Sequence, residues 1–112
     1  MLRVEIRRIR PEMELRLRAW LVELNSRAGE VRETFIDETV RAEQAYIVAG
    51  DEGPLVVYVM EAEDFDRGGK AYAASRHKID NEHREVMREC LAESPKVEPV
   101  YDVALETKSR SE

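Results

Sequence analysis

Val40–Glu61, VRAEQAYIVAGDEGPLVVYVME, decides the fold of this chain. Two runs rich in β-branched and aromatic residues, Val40–Ala49 and Leu55–Glu61, flank the turn formers Gly50-Asp51-Glu52-Gly53-Pro54. Such runs fit a pleated, half-buried surface, and so short a connection joins neighbouring antiparallel strands. Upstream, Leu2–Ile9 alternates apolar and charged residues with the period of a strand. Arg3, Arg7, Arg8 and Arg10 take its polar positions beside Val4, Ile6 and Ile9. Pro11 suits the first turn of a helix. Met13, Leu17, Trp20, Leu21, Leu24, Ala28 and Val31 recur at helical spacing, which predicts a helix over Pro11–Asn25 and a shorter piece over Glu30–Glu38 beyond Gly29. Downstream, Asp64–Gly69 reads as a loop and Lys70–Ala92 as one helix, roughly 35 Å long at 1.5 Å per residue. Pro95 and Pro99 bracket a turn, Val100–Thr107 is the last strand, and Lys108–Glu112 is a frayed tail.

The order β-α-β-β-α-β is that of the ferredoxin-like fold: one α+β domain over 1–107, a four-stranded antiparallel sheet with both helices on one face. The middle strands carry apolar groups on both faces. Tyr46, Val48, Val56, Tyr58 and Met60 cannot all meet two helices, so the bare sheet face predicts a symmetric homodimer built on it.

The composition narrows the function classes. At 112 residues the chain buries a modest core, which dimerisation would enlarge. Asp and Glu outnumber Lys and Arg by 24 to 18, which counts against a nucleic-acid partner because phosphate binding needs a basic footprint. No apolar run approaches the roughly 18 residues of a membrane span, and the basic start lacks the apolar core of a signal peptide. The single cysteine, Cys90, cannot form an intrachain disulfide and fits a cytoplasmic location.

Chemistry concentrates in Ser75–Leu91, which carries both histidines, the aspartate between them and Cys90. On a wheel of about 100° per residue with His77 at zero, Tyr72, Ile79, Val86 and Cys90 fall near 180–220°, the arc facing the sheet. His83 lies near 240°, beside that arc on the inward side, Asp80 and Met87 farther toward its edge, and His77 off it, at a rim or in solvent. Asp80 and His83 are three residues apart and can touch. A carboxylate beside an imidazole fixes its tautomer and raises its pKa, which makes His83 a candidate base with Asp80 orienting it. Glu43, His77, Tyr58, Trp20 and Arg7 are the other candidates for binding a ligand. The plainer reading, a core histidine satisfied by one carboxylate, stays open for His83. Cys90 reads as a buried small hydrophobe. No metal is expected, since the histidine spacing of six differs from the i, i+4 chelate, and no cofactor is expected. Arg67-Gly68-Gly69-Lys70 lacks the spacing of a phosphate loop.

Trp20-Leu21, Leu24-Asn25, Arg27, Glu30-Val31, Thr34, Glu43, Ser75, His77, Ile79-Asp80, His83 and Glu89-Cys90-Leu91 together give a pattern that resembles the small prokaryotic proteins of the domain of unknown function 6176 family. The resemblance covers about nine tenths of the chain. It implies a dimeric α+β barrel, the fold of the antibiotic-biosynthesis-type monooxygenases, and no established activity. The chain departs from the family pattern at Tyr58, which stands among valines, and at Val86-Met87, where bulkier aromatics are usual. Both departures would reshape a pocket between helix and sheet. Three functions are open: binding of a small molecule between sheet and long helix, a cofactor-independent monooxygenase- or isomerase-like enzyme with His83 as base, and a structural or interaction protein.

Overall fold

The predicted hairpin is present in the computed structural model, which describes residues 1–105. Strands β2 (Val40–Gly50) and β3 (Gly53–Ala62) pair antiparallel from Gly50 and Gly53 outward, around a two-residue turn at Asp51-Glu52. Gly53 holds φ at 120°, a region that L side chains rarely adopt, so glycine makes the turn possible. Strand β1 (Leu2–Arg8) pairs antiparallel with the other edge of β3, giving the order β1-β3-β2.

A 3-10 turn at Pro11–Met13 leads into α1 (Glu14–Ser26), followed by α2 (Ala28–Glu38). The break falls at Arg27 rather than Gly29. Arg27 leaves helical geometry at φ −111°, ψ 31°, and its guanidinium donates to Glu23, Glu30 and Glu82. Helix α2 stops at Thr39, which is left-handed at φ 58°.

The single helix expected over Lys70–Ala92 is two helices, α3 (Phe65–Ala73) and α4 (Lys78–Cys90). Helix α3 begins inside the expected loop because the Asp64 side chain caps it, accepting the Arg67 N–H at 3.0 Å. The break at residues 74–77 carries no glycine or proline, so periodicity alone runs through it. Side chains sustain it instead. Ser75 Oγ accepts the His77 N–H, and the Arg84 guanidinium donates to the carbonyls of Tyr72 and Ser75, satisfying the open helix end. Gly68 lets α3 lie against the end of α2, since a Cβ there would overlap the Glu38 carbonyl oxygen.

The fourth strand expected over Val100–Thr107 is not formed among the described residues. Beyond α4 the chain meets β1 at one antiparallel bridge, Leu91 with Ile9, flanked by Arg10 N–H to Cys90 O at 2.8 Å and Ala92 N–H to Arg8 O at 2.9 Å. Pro95 and Pro99 then remove two of the donors a ladder needs. Val100–Leu105 has no regular structure and is exposed. Residues 106 and 107 of that predicted strand, and the predicted tail 108–112, lie outside the described residues. The described protein is therefore α+β, with a three-stranded antiparallel sheet and four α-helices.

The helices cover one sheet face over a core of Leu17, Val56 and Cys90, with Ile9, Trp20, Ile79, Val86 and Leu91. Alternation along β3 sends Val56, Tyr58 and Met60 under the helices, and register places Arg7, Glu5 and Arg3 of β1 beside them. The charged positions of β1 thus point inward. Its apolar positions Val4 and Ile6 point outward with Val57, Val59, Tyr46 and Val48. On that outer face Val4 is 42 % exposed, Val48 43 % and Tyr46 52 %. Among the described residues no helix is long and apolar enough to cross a membrane.

Candidate functional site

The inward charges of β1 floor a cavity of about 420 Å³ between the sheet and the helices. Its apolar wall includes Leu24, Val31, Met60 and Met87. Polar groups reach it from every side: Arg3, Glu5, Arg7, Glu43 and Tyr58 from the sheet, Glu38 from α2, Tyr72 from α3, and Asp80, His83 and Arg84 from α4.

His83 sits in the wall with its tautomer set by a neighbour. The Trp20 indole N–H donates to His83 Nδ1 at 2.9 Å, so the proton of the neutral ring is on Nε2. Burial pushes His83 down to about 4, against an upward pull from Asp80 and with a downward push from Arg84. At neutral pH the ring is therefore uncharged, with one lone pair occupied and one N–H to donate.

Asp80 turns toward Glu38. Asp80 is 6 % exposed and Glu38 9 %, and neither Asp80 Oδ2 nor Glu38 Oε2 has a donor from another side chain or the backbone. Two carboxyl groups so placed disfavour a second negative charge. Burial first, then the charge of Asp80 and the hydrogen bond between the two groups, push Glu38 up to about 8. Glu43 is pushed up to about 7 by burial, with Glu5 and Asp80 adding repulsion. Burial likewise drives the phenols of Tyr58 and Tyr72 well above their usual range, and the Tyr58 hydroxyl donates to Met87 Sδ at 3.2 Å.

Two of the wall's cations are engaged elsewhere. Arg7 donates through Nε and Nη2 to the Ala92 carbonyl at 3.2 and 3.0 Å, holding the chain beyond α4 against β1. Arg84 is tied to the carbonyls of Tyr72 and Ser75 and to Asn81. Arg3 lies over the Phe65 ring, 4.2 Å from its centroid.

The fold thus brings together His83, Asp80, Glu43, Tyr58 and Arg7 of the residues singled out in the sequence. Trp20 stands behind His83 and does not line the cavity. His77 is apart from it, in a more open surface depression, with Nε2 2.9 Å from Asp37 Oδ2, a hydrogen bond that raises its pKa. Cys90 is wholly buried, and burial pushes its thiol up. Glu38 was missed. It ends a helix crowded with acids, and the available signal is the stripe Val31, Thr34 and Glu38 along one face of α2. Among the described residues no group of three His, Cys, Asp or Glu is arranged to hold a metal ion.

The model of a family of unknown function, DUF6176, matches residues 2–108. Neither a curated protein nor a solved structure gives a significant match.

Proposed function

We propose that this chain, which belongs to the DUF6176 family of unknown function, binds a small organic molecule in the cavity between its sheet and its helices. The observation that carries the reading is the inward turn of Arg3, Glu5 and Arg7. Arg7 is half-buried there while Arg3 and Glu5 stay exposed, so the three line the cavity without being sealed into a core, where charges would cost desolvation. A mostly apolar cavity of a few hundred Å³ with several convergent polar groups is the usual form of a ligand site. His83 supplies an N–H donor, while Asp80, Glu43 and Tyr58 add polar anchors. Trp20 and Arg7 hold the wall in place. A cofactor-independent monooxygenase- or isomerase-like reaction with His83 as base ranks second, because Trp20 already occupies the lone pair at Nδ1.

The same reading completes the fold with a second copy. The apolar outer face of the sheet forms the contact of a homodimer, and Val100–Leu105 extends the bridge begun at Leu91 into a fourth strand. Residues 1–107 then make one ferredoxin-like domain, and two of them a dimeric α+β barrel. One buried thiol suits a cytoplasmic setting.

Native mass spectrometry of freshly purified protein tests both parts. The expected result is a species of twice the chain mass that carries a small organic adduct. A ligand-free monomer would count against the reading. His83→Asn should lower stability by no more than the roughly 1–3 kcal/mol of the Trp20 hydrogen bond and weaken the adduct. A large loss of stability would instead make His83 a core residue, as in a purely structural protein.

A further inference from the structure

We infer that the cavity takes an organic cation, a protonated amine on an apolar body, whose N–H donors meet Glu38 and Asp80. The inference rests on the reading of the cavity as a ligand site and names the chemistry of its occupant. Its ground is the balance of donors and acceptors. Facing the cavity from the sheet are Glu5, Glu43, Arg3, Arg7 and Tyr58. Facing it from the helices are Glu38, Tyr72, Asp80, His83 and Arg84. Arg7 and Arg84 already donate to backbone carbonyls, and Arg3 covers Phe65. Tyr58 donates to Met87. The His83 ring is neutral, so it neutralises none of the acids.

The acids have no such partners. Asp80 and Glu38 are more than nine-tenths buried, both line the cavity, and each has an oxygen without a donor. A buried acceptor left without a donor is costly, and a charged one more so. A proton on Glu38, which is pushed up to about 8, relieves part of this. An ammonium group relieves it better, because it brings three donors and a positive charge. On binding, the ammonium keeps its hydrogens, the Glu38 proton leaves to solvent, and an ion pair takes its place. The apolar part of the ligand then lies against Leu24, Val31, Met60 and Met87.

Benzylamine, benzyl alcohol and benzoate give one body with three heads, to be titrated calorimetrically into the full chain at neutral pH. Benzylamine should bind at least roughly tenfold more tightly than either of the others. Its binding heat should change with the ionisation heat of the buffer, because a proton is released. In the variant Glu38→Gln/Asp80→Asn, whose amides are isosteric and bring their own donors, the preference should fall to within about twofold. Equal or tighter binding of the alcohol or benzoate would overturn the cation assignment and leave the cavity reading standing, as would a preference that survives in the variant. Silence from all three heads would overturn both.

Discussion

The indole N–H of Trp20 meets Nδ1 of His83 at 2.9 Å, joining α1 to α4 at the edge of the cavity. This one bond decides which nitrogen of His83 is free and which tautomer the ring adopts. Trp20→Phe removes the donor and leaves the ring's lone pair unmatched. It should cost about 1–3 kcal/mol in urea unfolding. It should also let His83 titrate above its depressed value, near 4 in the parent protein, as followed by ring nitrogen shifts in NMR. An unchanged titration would show that the indole does not control the imidazole.

The shifted groups make stability depend on pH with opposing signs. His83 is lowered, so the unfolded ring holds a proton that the folded ring lacks between about 4 and its ordinary 6.5. That contribution is present above 6.5 and lost as pH falls. Glu38 and Glu43 are raised to about 8 and about 7, so the folded state holds protons that the unfolded state has released. Their contribution is present below the usual carboxylate range and lost as pH rises through those values. Between 6.5 and 8 the carboxyl groups dominate, and stability should fall with rising pH. His77, raised by Asp37, acts in the same direction from the surface, where such pairs contribute little. Denaturant midpoints across this window should slope downward in the parent and flatten in Glu38→Gln/Glu43→Gln. A parent profile that rises there would contradict the raised carboxyl groups of Glu38 and Glu43.

The outer sheet face should be sensitive to charge. Val57 sits at its centre, beside Ile6 on β1 and Tyr46 on β2. Val57→Lys should convert the proposed dimer to a monomer in analytical ultracentrifugation and leave the circular dichroism spectrum unaltered. Loss of the folded signal along with the dimer would mean that association and folding are inseparable.

Close contact between α3 and α2 should tolerate no side chain at Gly68. Gly68→Ala places a Cβ on the Glu38 carbonyl oxygen, and rigid backbone on both sides must give way. A loss of about 1–3 kcal/mol is expected from thermal or urea melts, typical of overpacking. Gly69→Ala, where a Cβ meets nothing within 4 Å, is the control and should be neutral or better. Equal effects at both positions would remove the close approach as the cause.

Much of this molecule is legible in its sequence because local physics decides it. The hairpin at Gly50–Gly53 follows from turn chemistry between two β-prone runs. The inward arc of Ile79, Val86 and Cys90 follows from helical spacing, and all three are buried. The interruption at residues 74–77 was not legible, because it is made by Arg84 reaching back across the break, a contact that spacing does not encode. Nor was Glu38, whose importance comes from Asp80 on a distant helix.

Alternation along β1 shows from the sequence alone that Arg3, Glu5 and Arg7 share one face and Val4 and Ile6 the other, since successive side chains point to opposite sides. It does not say which face meets the helices. Only tertiary structure decides that, by register against β3 and by the side on which α1 and α4 pack. Here the charged face goes inward. The reason is physical: the cavity leaves Arg3 and Glu5 exposed and Arg7 half-buried, so this face keeps its charges hydrated, and its polar neighbours Glu38, Asp80 and His83 meet it only once the chain has folded.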